Sequence, residues 1–322
     1  MTTKSKPNKA QSKAAEVAAI RSKVVALALT AVLTPLSKII TITNQKGGVG
    51  KTSTSFNYAH YLNELGYRVL AVDLDGQGNL TELFFKPDVL NQYVHTSALD
   101  LFTEGTADNF EPLSHPCGID VIATRRNCHE LNNVDTFNLS VAEVFFNNLS
   151  PIAANYDFVV IDTPPAPGVR TTSACAAADY IYAPVLVDTF AESALEGVLS
   201  SVESIGQIIG ADLSITGILI NGLQDGTEDT KAKYNILAAR IGPALIPTSI
   251  RQSKPFSRAQ GVGVPVWHLR RSGAERVVSL DTRKAYGEMA ARIPEIPAER
   301  IEHFNEVSRA VRLKIAAELA AN

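Results

Sequence analysis

Short runs of apolar and β-branched residues recur along the chain, and stretches of helical character lie between most of them. The runs occupy residues 38–43, 68–73, 119–123, 158–162, 180–187 and 214–220. Alternation of this kind predicts βαβ units, and so an α/β fold with a mainly parallel, twisted sheet and helices on both faces. Ligands of such sheets bind beyond the carboxyl ends of the strands. Three of the runs end there in polar residues, at Asn44, at residues 73–75 and at Asp162.

Both ends of the chain extend past this pattern. Residues 12–34 are rich in alanine and predict a helix after a lysine-rich start, and residues after the 294–297 break, which holds two prolines, predict another. We therefore predict a basic N-terminal arm and helix (1–37), one large domain (38–293) and a C-terminal helix of the same unit (294–322). The arm could be a solubilising tail, a dimerisation arm, or a contact to DNA or a membrane surface.

Composition narrows the class of protein. The 322 residues are 45% hydrophobic and 20% charged, which is typical of a globular chain, and the net charge of −3 argues against a uniformly basic polyanion binder. The cysteines, Cys117, Cys128 and Cys175, form no C-x-x-C pair, which favours free thiols in a reducing compartment. No segment reaches the roughly 18 apolar residues of a membrane span. We expect a cytoplasmic protein without stable membrane insertion.

A glycine-rich loop follows the first run and opens a helix. Glycines let successive backbone N–H groups face one anion, and the positive end of the helix dipole points to the same place. Lys51 can then reach the β- and γ-phosphates of a nucleotide, and the Thr52 hydroxyl can ligate Mg²⁺. The loop predicts a nucleotide-dependent ATPase that uses ATP and Mg²⁺. Its residues are Lys46, Gly47, Gly48, Val49, Gly50, Lys51 and Thr52.

This loop resembles the deviant Walker A motif, K-G-G-x-G-K-[ST], of the family that contains the ParA and Soj partition ATPases, the MinD cell-division ATPases and the nitrogenase iron protein. Residues 72–81 resemble the ParA switch I motif, D-x-D-P-Q-G-N-x-T, with Gly76 in place of the usual proline. Residues 159–165 resemble a Walker B strand with the switch II segment after it. The resemblance covers roughly residues 38–293, so it implies a P-loop NTPase fold of the deviant Walker A type and makes this region an ATPase domain.

The resemblance also implies roles for single side chains. Lys46 would reach across a dimer to the partner's nucleotide, so that ATP drives dimerisation. Asp75, by position, would orient or activate the attacking water. Asp162 would supply one acid to the Mg²⁺ shell, and Asp73 would organise the site through Mg²⁺-bound water.

Two later residues match positions that contact the nucleotide base in relatives. Asn221 ends one predicted strand and Pro247 ends another candidate strand, and an ordinary loop role is the alternative for each. The predicted catalytic residues are Lys46, Lys51 and Asp75. The predicted nucleotide-binding residues are Lys46, Gly47, Gly48, Val49, Gly50, Lys51, Thr52, Ser53, Asn221 and Pro247, and the predicted metal residues are Thr52, Asp162 and Asp73.

Charge is unevenly distributed along the chain. Residues 230–274 contain eight basic and no acidic residues, and a basic face on an acidic body suits phosphate contacts without sequence preference. Residues 249–256 also resemble the R-x-S-x-A-P loop of ParA proteins. The alternative is a solvated basic surface, or one paired with acids from elsewhere. The predicted DNA contacts are Lys231, Lys233, Arg251, Lys254, Arg258, Arg270 and Arg271.

These features together favour a ParA-type ATPase that segregates DNA cargo. It would form a homodimer with ATP, bind DNA non-specifically, associate with the nucleoid and be reset when a ParB-like partner stimulates slow hydrolysis. One alternative is a MinD-like membrane-associated positioning ATPase, although residues 301–321 mix acids and bases where MinD proteins have a basic amphipathic helix. The other is a nucleotide-bound scaffold with negligible turnover.

Overall fold

A computed structural model describes residues 37–90, 96–106, 109–136, 138–188, 191–223, 227–269, 272–302 and 304–305. The predicted N-terminal helix, Arg270, Arg271 and most of the predicted C-terminal helix lie outside these residues.

Among the residues that the structure describes, seven strands form one sheet. In chain order they are β1 (Lys38–Ile42), β2 (Val69–Asp73), β3 (Leu113–Ser114), β4 (Ile119–Ile122), β5 (Phe158–Asp162), β6 (Tyr180–Val185) and β7 (Gly217–Ile220). The order across the sheet is β3-β4-β2-β5-β1-β6-β7, and every neighbouring pair is parallel except β3 with β4. All six predicted runs are strands, and the short edge strand β3 was not predicted. The predicted fold class is confirmed.

Helices connect the strands and cover both faces. They are α1 (Lys51–Glu64), α2 (Asn79–Phe84), α3 (Pro87–Leu90), α4 (His129–Asn133), α5 (Val141–Ala153), α6 (Val169–Ala177), α7 (Ala191–Ile209), α8 (Glu228–Ile241), α9 (Lys254–Gly261) and α10 (Gly273–Ala290). The candidate strand at Ile246–Pro247 is only an isolated bridge, between Leu245 and Ile218.

Alternate residues of the central strand β5 face two different clusters of the core. Successive residues of a strand point to opposite faces. Val160 therefore joins the cluster that contains α1 and α10, whereas Val159 and Ile161 join the cluster that contains α5. Strand β5 is buried along its whole length, as a central parallel strand must be.

The single tryptophan lies between α1 and α10. Trp267 is fully buried, and its indole N–H donates to both carboxylate oxygens of Glu64 at 2.9 Å. Its ring meets those of Tyr61 and Tyr286 edge-on, with centroids 6.3 and 6.0 Å away. This contact fixes the C-terminal end of α1 to the body of the domain.

The first residues of the predicted C-terminal helix pack on the same core. Residues 298–302 are helical and Ile301 is buried. The Phe304 ring meets Tyr61 edge-on at 5.4 Å, and the Arg283 guanidinium lies 4.2 Å above the Phe304 ring. Among the helices that the structure describes, none is both long and apolar enough to cross a bilayer.

Candidate nucleotide-binding site

The predicted phosphate-site residues meet at one edge of the sheet. Strand β5 lies between β1 and β2, and its register places Asp162 level with Ile42 on one side and Asp73 on the other. The glycine-rich loop leaves β1 there, and the loop that contains Asp75 leaves β2. The sheet order therefore brings three separate motifs to one place, as the rule for parallel sheets predicts.

Two glycines give the loop its shape. Gly48 and Gly50 have φ angles of +74° and +91°, in the left-handed region that a side chain rarely adopts. A Cβ at Gly50 would also collide with the side-chain amide of Asn221. That amide donates to the Val49 carbonyl at 2.8 Å. Asn221, which was predicted to contact the base, directly follows β7 and thus holds the phosphate loop in place.

A second asparagine holds the start of the loop. The Asn44 amide donates to the Pro184 carbonyl of β6 at 2.8 Å, and its oxygen accepts from the Lys46 N–H at 2.8 Å. The loop is therefore fixed at both ends by buried side chains. Such anchoring lets its N–H groups be arranged before a ligand arrives.

Lys51 begins α1 and is directed back along the loop. Its ammonium donates to the Lys46 carbonyl at 3.2 Å, and the side chain is largely buried. Burial lowers the pKa of this amine, against the opposing influence of Asp162 and Asp75. A buried cation at a helix N-terminus is suited to an anionic ligand.

Thr52 and Asp162 form the candidate cation site. The Thr52 hydroxyl donates to one Asp162 oxygen at 2.7 Å, and Ser55 donates to the other at 2.9 Å. Burial raises the pKa of Asp162 to about 7, although both hydroxyls and Lys51 oppose the rise. Hydroxyl and carboxylate oxygens are hard donors that fit Mg²⁺, which takes its other ligands from phosphates and water. Ser55 was not predicted, but its position three residues after Thr52 on one helix was a usable signal.

Asp73 braces the neighbouring loop. One of its oxygens accepts from the Thr81 N–H and hydroxyl at 2.8 and 2.7 Å, and the other accepts from the Asp75 N–H at 3.2 Å. Burial, together with nearby Asp162, raises the pKa of Asp73 well above its usual range. Both carboxylate oxygens of Asp73 thus accept hydrogen bonds from its own loop, and the predicted part of Asp73 in the metal site stays a prediction.

Asp75 sits in the turn that follows β2. It is 9% exposed, and its carboxylate accepts from the Gln77 N–H at 3.0 Å. The turn is closed by the Gly78 N–H, which donates to the Asp75 carbonyl at 2.9 Å. The negative charge of Asp75 opposes the burial that lowers the pKa of Lys51, so the two side chains lie close enough to interact.

The first lysine of the loop makes an ion pair within its own chain. The Lys46 ammonium contacts Asp188, which follows β6. Asp188 was not predicted, although it is an acidic residue that directly follows the predicted strand run 180–187. That position was a signal that could have found it.

A cleft of ≈ 570 Å³ opens beside the loop. Gly50, Ser53 and Asn221 line it, and so do Lys233 and Arg251, two of the predicted DNA contacts. Its remaining lining comes from Gly48, residues 186–188, Gly222, the start of α8, and residues 252, 253, 256 and 257. Pro247 is exposed and is not among the lining residues. Its predicted contact with the nucleotide base stays a prediction.

The predicted DNA contacts meet acidic residues from outside their segment. Lys254, at the start of α9, is exposed and makes no ion pair among the residues that the structure describes. The other described members are paired: Lys231 with Glu228 at 2.7 Å, Lys233 with Asp229 at 2.6 Å, Arg251 with Asp281 at 3.5 Å, and Arg258 with Glu275. Much of the segment's charge is thus balanced locally.

The sheet order and the strand–glycine loop–helix site define the chain as a P-loop NTPase. A family model described as an AAA domain matches residues 37–215. The sporulation initiation inhibitor protein Soj of Bacillus subtilis is 32% identical over 263 residues, which cover 77% of this chain and 98% of that protein. The chain belongs to the ParA/Soj family of partition ATPases.

Solved structures show the same fold. The ATP complex of McdA from Cyanothece has a TM-score of 0.67 at 21% identity, and the match covers 80% of this chain and 96% of that one. Cobyrinic acid a,c-diamide synthase from Mycobacterium smegmatis, with a bound ATP analogue and magnesium, has a TM-score of 0.60 at 24% identity, covering 70% and 90%. The ligands of these neighbours agree with the predicted cofactors, ATP and Mg²⁺.

Proposed function

We propose that this chain is an Mg²⁺-dependent partition ATPase that binds ATP as a sandwich dimer and, in that state, holds DNA without sequence preference. The observation that carries the proposal is the meeting of Lys51, Thr52–Asp162 and Asp75 at one edge of the sheet. Slow hydrolysis, stimulated by a ParB-like partner, would release the DNA. Membership of the ParA/Soj family supports this cycle and a nucleoid-associated location.

Each step of hydrolysis has a residue to perform it. The loop N–H groups and Lys51 bind the phosphates, and Thr52 with Asp162 holds the cation. Bound Mg²⁺ supplies a positive charge that offsets the charge of the phosphate oxygens. Asp75 accepts a hydrogen bond from the attacking water and so directs it. With one carboxylate and no second base predicted, weak intrinsic turnover is expected.

The dimer proposal rests on Lys46. In this family the corresponding lysine reaches the partner's nucleotide, whereas in the single chain Lys46 contacts its own Asp188. Dimerisation would exchange this ion pair for a contact with the partner's phosphates. Lys46→Ala is then expected to keep ATP binding by the monomer and to lose ATP-dependent dimerisation in analytical ultracentrifugation.

Phosphate release, measured with and without DNA, tests the catalytic assignments. Asp75→Ala should lower kcat by about a hundredfold or more, the size of a general-base effect, while ATP affinity stays unchanged. Lys51→Ala should abolish ATP binding in calorimetry. Asp88→Ala, an exposed acid on α3, is the control and should behave as the wild type. Unchanged turnover in Asp75→Ala would show that another group directs the water.

A gel-shift experiment tests the DNA proposal. Non-specific duplex DNA is titrated with protein and ATP, ADP or no nucleotide, over a series of salt concentrations. Binding that requires ATP and weakens steeply with salt supports phosphate contacts by the dimer. Equal binding in all three nucleotide states would contradict it. Sedimentation with liposomes in ATP, without a DNA shift, would favour the membrane-associated alternative instead.

A further inference from the structure

A buried arginine connects the two loops that flank the phosphate site. Arg170, the second residue of α6, is 4% exposed. One guanidinium nitrogen donates to the Leu74 carbonyl and to the Asn132 side-chain oxygen, at 3.0 Å each. The other two donate to Asp135 at 3.1 and 2.6 Å, and the Arg170 backbone N–H donates to the same carboxylate at 3.1 Å.

These contacts reach both sides of the catalytic edge. Leu74 immediately precedes Asp75, whose carboxylate is proposed to direct the water. Arg170 stands just after residues 163–168, which follow Asp162 and match the switch II segment. One guanidinium therefore spans the backbone of the switch I loop and the beginning of the helix after switch II.

Two glycines allow the loops to come this close. A Cβ on Gly76 would collide with the Asn132 side chain, and a Cβ on Gly168 would collide with the Asp135 carboxylate. The Cys128 N–H also donates to the Gly76 carbonyl at 2.8 Å. Gly76 stands where the switch I motif usually has proline. Because a side chain at position 76 would collide with Asn132, the glycine is what allows Asn132 to take its place.

We propose that Arg170, Asn132 and Asp135, here called the switch clamp, are positioning residues that hold Asp75 in its catalytic place. The proposal rests on the proposed ATPase function and adds the means by which its water-directing carboxylate is fixed. The clamp acts on Asp75 through the Leu74 carbonyl and Gly76, the residues on either side of it. A displacement of about 1 Å in a reacting group can cost about a hundredfold in rate, so a clamp on the adjacent residue affects kcat directly.

The chemistry requires arginine at position 170. A planar guanidinium can donate to a carbonyl, an amide oxygen and a carboxylate at once, whereas lysine presents one compact ammonium. Arg170→Lys therefore keeps the charge opposite Asp135 and loses the span to Leu74. Asn132→Ala removes one acceptor and leaves the ion pair intact, so it tests the clamp without an unpaired buried charge.

The test separates positioning from folding and from ligand binding. Phosphate release, the affinity for a fluorescent ATP analogue and the thermal unfolding midpoint are measured for the wild type, Arg170→Lys and Asn132→Ala. We expect kcat to fall about tenfold in Arg170→Lys and less in Asn132→Ala, with analogue affinity within about twofold of the wild type. Asn133→Ala, on the exposed side of the same short helix, is the matched control and should change nothing.

A rescue experiment makes the test specific. Gly76→Pro should displace Asn132 and lower kcat, and Asn132→Gly in that background should restore part of it. Unchanged kcat in both clamp variants, or a parallel loss of kcat, affinity and unfolding temperature without rescue, overturns the proposal. If Arg170→Lys fails to fold, Asn132→Ala and the rescue pair decide. A wild type without turnover contradicts the proposed function, and the clamp with it, whereas normal wild-type turnover with unaffected variants contradicts the clamp alone.

Discussion

Asn221 illustrates how a single side chain can support the shape of a binding loop. Its amide donates to the Val49 carbonyl inside the phosphate loop, and Gly50 is the residue that leaves room for it. The family resemblance indicated that position 221 belongs to the nucleotide site. It could not show which group the side chain contacts, because the partner lies 172 residues earlier in the chain.

Removal of this contact should weaken nucleotide binding. Asn221→Ala leaves the Val49 carbonyl without its donor, and an unsatisfied buried carbonyl costs about 1–3 kcal/mol. We expect a loss of ATP affinity of about tenfold in isothermal titration calorimetry, because part of the binding free energy would then be used to order the loop. Asn155→Ala is the matched control, since that exposed amide also bonds to a carbonyl but lies far from the loop. Equal affinities in the two variants would contradict the bracing role.

At the scale of elements, ion pairs within a helix neutralise charges that a count of basic residues would leave free. Residues 230–274 have eight basic and no acidic residues in sequence, yet Glu228 and Asp229 at the start of α8 pair with Lys231 and Lys233. The count began just after these two acids. It located a basic segment correctly, but it could not show which of its charges remain available to an external phosphate.

Two lysines of the segment, Lys231 and Lys254, should therefore differ in their contributions to DNA binding. Lys254→Ala removes a cation without an ion pair in the described structure, so it should lower affinity and reduce the salt-dependence slope by about one. Lys231→Ala removes a cation already balanced by Glu228 and should change both much less. Fluorescence anisotropy with a labelled duplex, over a salt series with ATP, measures both quantities. Similar losses in the two variants would show that the ion pair does not limit Lys231.

The edge strand β3 shows where a sequence pattern fails. Its two residues, Leu113 and Ser114, are too few to display alternation, and the strand exists only because a turn returns the chain along β4. Gly118, with φ of +90°, permits that turn. The six longer strands were predictable because each is a mainly apolar run of the kind that a buried parallel sheet requires.

At the scale of the whole molecule, the order of strands could be anticipated only in outline. The motifs after β1, β2 and β5 predicted a shared catalytic edge, and the sheet order places them there. Contacts such as Lys46 with Asp188 and Arg170 with Asp135 join segments far apart in sequence. A single sequence contains no period or motif that marks such pairs, so they required the assembled structure.

One histidine in α1, His60, should make the stability of the whole fold depend on pH. His60 is buried against the rings of Phe56 and Phe84, and within the described structure its Nε2 has no hydrogen-bond partner. Burial lowers the pKa of His60 to about 4. The unfolded chain, with a pKa near 6.5, then binds the proton more readily. Stability from neutral His60 is therefore complete above pH 6.5 and is lost as the pH falls towards 4.

Urea unfolding at pH 7.5 and pH 5 measures this effect. His60 should account for about 2 kcal/mol of the wild type's loss of unfolding free energy between the two pH values. His60→Phe keeps an aromatic ring and cannot titrate. Its unfolding free energy should therefore fall by about 2 kcal/mol less than that of the wild type between the two pH values. His129→Ala, at an exposed site, should follow the wild type. An equal pH dependence of unfolding free energy in all three proteins would show that groups other than His60 cause it.

Trp267 gives the molecule an intrinsic optical probe. It is the chain's one tryptophan, so selective excitation reports from a single place. Its indole is bonded to Glu64 at the far end of α1, the helix whose first residue is Lys51. Its fluorescence emission should be blue-shifted in the folded domain and should shift to the red on unfolding. The emission intensity should change when a bound nucleotide moves α1. Ligand arrival and global unfolding can thus be followed in one cuvette, without a label.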